Sequence, residues 1–387
     1  MHPGLTWPLD PSLIHLNHGS FGATPVEGLR RQAALRDEMN AAPVRWFTTL
    51  PPRLAQARAE VAAWLGSQPA DTAFVPNATA GATAVFRSLH LQPGDEVVVT
   101  DHGYGAVNSG AARMARRAGA HLRTVAIPLT ASEDEICALV AAALTDRTRL
   151  LVIDHVTSAT ALQLPAARLC AHARARGIVT LVDGAHTPGM LADPVVREAD
   201  VWVGNLHKWG LCPRPAAVLV ARPEIGDQLD PTIDSWGAGL PYPDRFDHQG
   251  TGDVTAALTA PWVLDHVEQV VGWDETRRWS AALLDEGHAV ICEALASATG
   301  EDCAPHVTCP APQMRLVRLP GFAPEEASVT RVRQIAGPAY ELAVTWFGGD
   351  CYLRLSAHLH NSVEDYRRFA TDVVPRLMQT RQDAQVG

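Results

Sequence analysis

Val201-Trp202-Val203-Gly204-Asn205-Leu206-His207-Lys208-Trp209-Gly210 reads as a short apolar strand running straight into a cluster of polar side chains. It holds the only lysine of the 387-residue chain, whose other basic residues are 31 arginines (32 Lys plus Arg, less one). Arginine supplies positive charge but keeps its proton in proteins, whereas a lysine amine sheds it and can then condense with a carbonyl. A lysine retained where arginine has taken every other basic position points to a task arginine cannot perform.

Outward from this stretch the chain alternates strand and helix. Segments 72–75, 96–100, 121–127, 149–154, 178–183, 200–204 and 216–221 are apolar and extended, with helices predicted from Asn77 to about His90 and over 105–118, 133–144 and 165–176. Continuous apolar strands alternating with helices predict an α/β fold, with a mostly parallel central sheet covered by helices on both faces. Upstream, 25–40 and 53–66 read as helices, the second with Leu54, Ala57, Val61 and Leu65 on one face. Downstream, the Pro/Gly-rich segment 222–255 is too long for a plain connector and is expected to be functional or interfacial, its 222–250 loop forming a substrate wall with Trp236, Tyr242, Arg245 and Phe246. Helices over 254–271 and 274–298 follow. Strands at 314–319, 341–346 and 351–357, with helices at 324–335 and 362–379, then make a smaller α+β unit. The resulting division is an N-terminal arm (1–25), a large domain (26–265) and a small C-terminal domain (266–387).

A hydrophobic content of 47% without low-complexity runs supports a large core. With a net charge of −10 and no basic cluster, the composition argues against nucleic acid. No apolar run reaches membrane-spanning length and no signal peptide is evident, so the chain is expected in the cytoplasm without a membrane partner. Seven scattered cysteines with no C-x-x-C pair argue against both a disulfide framework and a zinc site, and no metal is expected.

In a parallel sheet, ligands gather beyond the carboxyl ends of the strands. Five strand ends here carry polar or aromatic groups: Asn77-Ala78-Thr79; His102 and Tyr104; His155, Thr157 and Ser158; Asp183 and His186; Asn205, His207 and Lys208. A helix N-terminus with the Thr79 hydroxyl suits a phosphate. Asp183, at the end of a buried strand, needs a partner, and a pyridinium nitrogen is one. Tyr104 can stack on a ring, and Lys208 can close an imine with an aldehyde. Together these features describe pyridoxal 5′-phosphate. A nicotinamide-dependent dehydrogenase is the competing reading for such a sheet, but the G-x-G-x-x-G it predicts is missing. An inactive binding protein on the same fold is disfavoured by the intact Lys208 and Asp183.

Seven motifs, in order along nearly the whole chain, resemble the class V aminotransferase family of pyridoxal phosphate enzymes (fold type I), especially its isopenicillin N epimerase-like branch. They are Leu16-Asn17-His18-Gly19-Ser20-Phe21-Gly22, Asn77-Ala78-Thr79-Ala80-Gly81, Asp101-His102-Gly103-Tyr104-Gly105-Ala106, Asp183-Gly184-Ala185-His186, Asn205-Leu206-His207-Lys208-Trp209, Gly250-Thr251-Gly252-Asp253 and Leu353-Arg354-Leu355-Ser356. The resemblance implies Lys208 as the Schiff-base lysine, Asp183 on the pyridine nitrogen and Tyr104 on the ring face. It places His186 and Ser158 near the phenolate oxygen, and gives the phosphate to Ala78, Thr79, Asn205 and His207. It also implies a homodimer with shared active sites, in which Thr251 reaches the partner's cofactor, and a small amino-acid substrate bound by Arg354 and Asn17. Desulfurase members carry a mobile nucleophilic cysteine shortly before this arginine. Only Cys351 stands there, inside a predicted strand, which disfavours sulfur transfer to an enzyme thiol.

Lys208 is the natural base for a Cα proton once the substrate amine has displaced it. The expected reaction is β-elimination from a bulky cysteine conjugate in natural-product (antibiotic) biosynthesis, a C–S lyase activity. Epimerisation stands close behind, then decarboxylating deamination or amino transfer.

Overall fold

The computed structural model describes residues 2–379; Met1 and 380–387, the latter assigned by sequence to the C-terminal unit, lie outside it. The chain opens with β1 (Ile14–His15) and a one-turn α1 (His18–Phe21), followed by α2 (Val26–Ala41) and α3 (Pro43–Leu65). The alternating region runs β2 (Thr72–Val75), α4 (Ala78–Ser88), β3 (Glu96–Thr100), α5 (Gly105–Ala118), β4 (His121–Val125), α6 (Glu133–Ala143) and β5 (Thr148–Asp154). It continues through α7 (Ala166–Arg174), β6 (Val179–Asp183), β7 (Val201–Asn205) and β8 (Ala217–Ala221). A short α8 (Pro223–Gly226) precedes the irregular segment, and α9 (Thr255–Val270) and α10 (Trp273–Thr299) follow it. The C-terminal part adds β9 (Met314–Arg318), α11 (Glu326–Ala336), β10 (Tyr340–Glu341), β11 (Ala343–Phe347), β12 (Asp350–Ser356) and α12 (Val363–Asp372).

Seven strands form one sheet in the order β2-β8-β7-β6-β5-β3-β4. The run from β7 to β4 is parallel, while β8 and β2 pair antiparallel at one edge. Successive side chains point to opposite faces of a strand, so a sheet covered on both faces needs apolar residues at every position. Val98, Leu151, Ile153, Val182 and Trp202 enter one core, whereas Val97, Val99, Leu150, Val152, Leu181 and Val203 enter the other. This is the mostly parallel α/β sheet that the alternation predicts. At their carboxyl ends three of these strands turn polar, Asp154, Asp183 and Asn205 closing β5, β6 and β7.

The helix expected from residue 53 begins ten residues earlier, at Pro43, and runs through Pro51 and Pro52. Each proline removes a backbone hydrogen bond, but Trp46, Leu50 and Leu54 bury on a common face and carry the helix across the gap.

The smaller C-terminal unit is a three-stranded antiparallel sheet, β11-β12-β9, backed by α10 and α12. Its core, around Leu284, Ile291, Leu353, Leu355 and Phe369, also takes in Ile14 and Leu16 of the arm. β1 pairs with β10 in parallel, and Ser356 N donates to Leu16 O (3.1 Å). The arm then crosses to the lysine. Gly22 adopts φ 72°, and a Cβ there would collide with the carbonyl oxygens of His207 and Lys208, so only glycine passes this close.

Candidate active site

The polar strand ends line a cavity of about 440 Å³ that holds Lys208, Asp183, Asp154, His186, Asn205, His207, Ala78, Thr79, Tyr104 and Ser158, closed on one side by Ser20 and Phe21 of the arm. A larger groove, about 1060 Å³, runs along the outer side of the arm toward Arg333 and Tyr340. The smaller cavity is the candidate site by chemistry, because it gathers the lysine, the buried carboxylates and a helix N-terminus in one place.

That N-terminus belongs to α4. Asn77 caps it, its Oδ1 accepting from Ala80 N (2.8 Å), and Asn205 Oδ1 accepts from Ala78 N (2.9 Å). The Ala78 N–H is therefore already engaged. Thr79 keeps its own N–H and hydroxyl for a ligand, at the positive end of the helix. His207 lies in the same wall with Nδ1 2.7 Å from Ala216 O.

Asp183 is 2% exposed. Its Oδ1 accepts from Ala185 N (2.9 Å), but its Oδ2 finds no donor in the protein. A buried carboxylate oxygen without a donor is costly, and a pyridinium N–H entering the cavity would satisfy it. Burial raises this carboxyl above the usual range, with Ala185 N and Lys208 opposing. Asp154 is its in-register neighbour on β5 and also lines the cavity. Burial, then repulsion by Asp183, holds Asp154 well above an ordinary carboxyl.

Lys208 Nζ lies 3.2 Å from His186 Nε2, and Trp209 Nε1 donates to His186 Nδ1 at 3.2 Å. Burial pulls the amine down to about 8, helped by Arg354 and opposed by Asp183 and Asp154. An amine near 8 is neutral often enough at physiological pH to act as nucleophile and base. His186 is held well below its ordinary value by burial, then by Lys208 and Arg354, and is neutral.

Arg354, 4% exposed on β12, reaches over from the small unit. Its Nη2 donates to Asn17 Oδ1 (2.7 Å) and Ser20 Oγ (3.2 Å), and its Nη1 donates to Ser158 O and lies 3.4 Å from Ser158 Oγ. Among the described residues no carboxylate pairs with it. Burial lowers the guanidinium to about 10. A buried cation held only by neutral acceptors is poised for an anionic ligand.

Several strand-end residues turn away from the cavity. His102 is tied to Thr160 Oγ1 and Ile127 O (both 2.7 Å) and stacks on Phe347. His155 and Thr157 likewise lie outside the cavity wall, Thr157 Oγ1 being spent on Thr160 and on Leu162 N. The expected substrate wall at 222–250 does not form within this chain. Tyr242 is buried with its hydroxyl donating to Asp71 O and Leu219 O, Phe246 is in the core, and Arg245 binds Leu240 O. Trp236 is 96% exposed. Thr251 is exposed and lies outside the Lys208 cavity. Sequence reasoning missed Asp154 and Ser20. The visible signal for Asp154 was a carboxylate closing an apolar strand beside Asp183.

Residues 43–320 match the pattern of the class V aminotransferases. The chain belongs to the class V aminotransferase family. As a class V aminotransferase relative it is an enzyme that uses pyridoxal phosphate, and the orphaned Asp183 oxygen, the α4 terminus and the half-buried lysine fit that group. Isopenicillin N epimerase of Streptomyces clavuligerus is 38% identical over 276 residues, 66% of this chain and 69% of that protein. A putative L-cysteine desulfhydrase of Oryza sativa is 31% identical across 95% of this chain and 84% of its own length. The apo cysteine desulfurase from Thermococcus onnurineus NA1 shares the fold, with a TM-score of 0.79 at 19% identity covering 97% of each chain. So does a cystine C–S lyase in complex with its product cysteine persulfide (TM-score 0.77, 20% identity, 94% and 98% covered). Among the described residues no helix is long and apolar enough to cross a membrane.

Proposed function

We propose that this enzyme eliminates a β-sulfur from an S-substituted cysteine, a carbon–sulfur lyase reaction on a bulky conjugate of natural-product metabolism. Bound pyridoxal phosphate supplies the aldehyde that captures the substrate amine and a ring that accepts electrons from a breaking Cα bond. The protein's share begins with Lys208, which would hold that aldehyde until substrate arrives. Asp183 would neutralise the pyridine nitrogen, Tyr104 cover the ring face, and His186 with Ser158 approach the phenolate oxygen. Thr79, with Ala78, Asn205 and His207, would cradle the phosphate. Arg354, steadied by Asn17, would grip the substrate carboxylate and so orient the Cα–H bond toward Lys208. Lys208 then takes the Cα proton and returns it to the departing sulfur. Cα–H and Cβ–S bonds break, Cα–Cβ becomes double, and the released enamine hydrolyses to pyruvate and ammonia.

The observation that carries this reading is the single amine, drawn down to about 8, in a cavity whose wall residues Ser20 and Ser158 accept hydrogen bonds from a guanidinium that no carboxylate pairs. One base serves an elimination, whereas epimerisation needs a second proton carrier on the other face. Cys351 is buried in β12, and burial pushes its thiol up to about 11, which suits release of sulfur to solvent rather than capture by the enzyme. Epimerisation is the second reading. The kinship with isopenicillin N epimerase supports it, and Tyr104, 44% exposed in the cavity wall, supplies a candidate second carrier. Incubation of the loaded enzyme with S-alkyl cysteines in D₂O separates the two. Pyruvate and free thiol confirm elimination; Cα deuterium with inverted configuration and no thiol overturns it in favour of epimerisation.

We also propose a homodimer in which Thr251 completes the partner's site. Phe21 on α1, Val44 on α3, and Ile233 and Trp236 in the irregular segment are left exposed, apolar side chains that a partner's surface would cover. A monomer mass in solution would refute this. Seven unpaired cysteines suit a reducing compartment such as the cytoplasm.

A further inference from the structure

We propose that Trp209 is a positioning residue that acts through His186 to keep the Lys208 amine in its neutral form. Indole N–H is a donor only. Because it points at His186 Nδ1 (3.2 Å), that nitrogen must be the acceptor. A neutral imidazole then carries its proton on Nε2. That nitrogen lies 3.2 Å from Lys208 Nζ, so the ring presents an N–H to the amine rather than a lone pair. An N–H facing nitrogen can be accepted by a neutral –NH₂ but not by –NH₃⁺, which has no lone pair. The indole thus selects a tautomer, and the tautomer selects the protonation state of the lysine.

The geometry leaves little room for the other arrangement. Trp209 and His186 are buried, and Trp209 packs against the His18 and His358 rings (centroids 4.9 and 5.9 Å), which lie 4.3 Å from each other. Its carbonyl accepts from His358 Nε2 (3.3 Å), while Lys208 O takes His18 Nε2 (3.2 Å). These bonds fix the backbone that carries the indole, and the ring contacts hold the indole itself against the arm and the small unit. Lys208 is otherwise faced by Asp183 from β6, Asp154 from β5, Arg354 from β12 and its neighbour His207. The two carboxylates favour the charged amine, so a device holding it neutral has work to oppose. Once cofactor is bound, the same fixed tautomer offers its Nε2–H to whatever anionic oxygen occupies the place of the amine.

This inference rests on Lys208 being the imine-forming residue, and the test separates the two claims. Lysine is unique in the chain, so ¹³C-lysine labelling gives one side-chain resonance that titrates Lys208 directly in cofactor-free protein. Trp209→Phe keeps the ring and removes the donor. His186 is then free to offer a lone pair, and the lysine midpoint should rise by about half to one pH unit, the size of one hydrogen bond. In a His186→Gln background, whose amide N–H₂ donates without help, Trp209→Phe should move the midpoint by less than about 0.2 unit. An unchanged midpoint in Trp209→Phe overturns the proposal, and an equal rise in both backgrounds does so too, since the indole would then act by packing. Should the variant fail to fold, ¹⁵N-histidine spectra of the wild-type protein decide. Nε2–H at His186 is required, and Nδ1–H refutes the proposal. None of these readouts depends on turnover or cofactor, so failure of Lys208 to form a borohydride-fixed adduct would be recognised separately.

Discussion

Replacing Arg354 by Met exposes how much of substrate recognition is stored in the fold. Burial without a carboxylate draws the guanidinium down to about 10. Because the folded-state pKa lies below the unfolded one, the charge opposes folding in full at every pH below about 10, and the cost fades as pH rises from there to the guanidinium's ordinary value. At 1.36 kcal/mol per pKa unit this amounts to about 3 kcal/mol. Removing the charge relieves that cost. It also strips hydrogen bonds from Asn17, Ser20 and Ser158, each worth about 1 kcal/mol. The two nearly cancel, so the melting temperature of cofactor-free Arg354→Met should stay close to wild type. Binding should not. An arriving carboxylate recovers the stored 3 kcal/mol or so, about 10²-fold in affinity. The assay titrates the absorbance of the loaded enzyme with an S-alkyl cysteine and with its decarboxylated cysteamine counterpart. Wild type should prefer the carboxylate by about 10²-fold or more, and the variant should bind both alike. Equal weakening of the two amines would refute a carboxylate-gripping arginine.

Lys208→Arg retains charge and bulk yet should leave no pyridoxyl adduct after borohydride reduction, checked by peptide mass, and lower turnover by at least about 10²-fold. Asp154→Asn should stabilise the enzyme. The folded-state pKa of Asp154 is raised, so its ionisation opposes folding increasingly as pH climbs above about 4; the gain in melting temperature should be negligible at that pH and grow toward neutrality. His18, His358 and His360 are buried neutral, lowered chiefly by burial, with His358 brought to about 4. Their depressed folded values mean the unfolded chain takes up protons first, so thermal stability should fall as pH drops from about 6.5 to about 4. A His358→Gln variant should show a shallower fall over that window.

The sheet was legible because burial on both faces writes itself as uninterrupted apolar runs; β3 and α5 occupy the residues the pattern predicts. Lys208 and Asp183 were legible for the same reason in reverse, as polar groups where such runs stop. What sequence did not disclose depends on partners distant along the chain. His102 looked like a ligand-facing strand end until Phe347 stacked on it. Tyr242 and Phe246 looked like a substrate wall until the β8 region claimed the tyrosine hydroxyl. Asp154 hid as the last letter of a strand, its meaning set only by register with Asp183. The helix read from residue 53 starts instead at Pro43, because Trp46 and Leu54 hold it together across Pro51 and Pro52 through packing.

The arm that threads past Lys208 has a consequence for biosynthesis. Its first strand needs Tyr340 and Glu341, and His18 needs His358 and His360, before it can settle against the lysine carbonyl. A ribosome-bound chain halted before residue 340 would own every strand of the large sheet and still lack a finished pocket. Such a chain would hold Lys208 and Asp183 in a pocket left open on the side that Ser20 and Phe21 close, and should bind pyridoxal phosphate more weakly than the full chain.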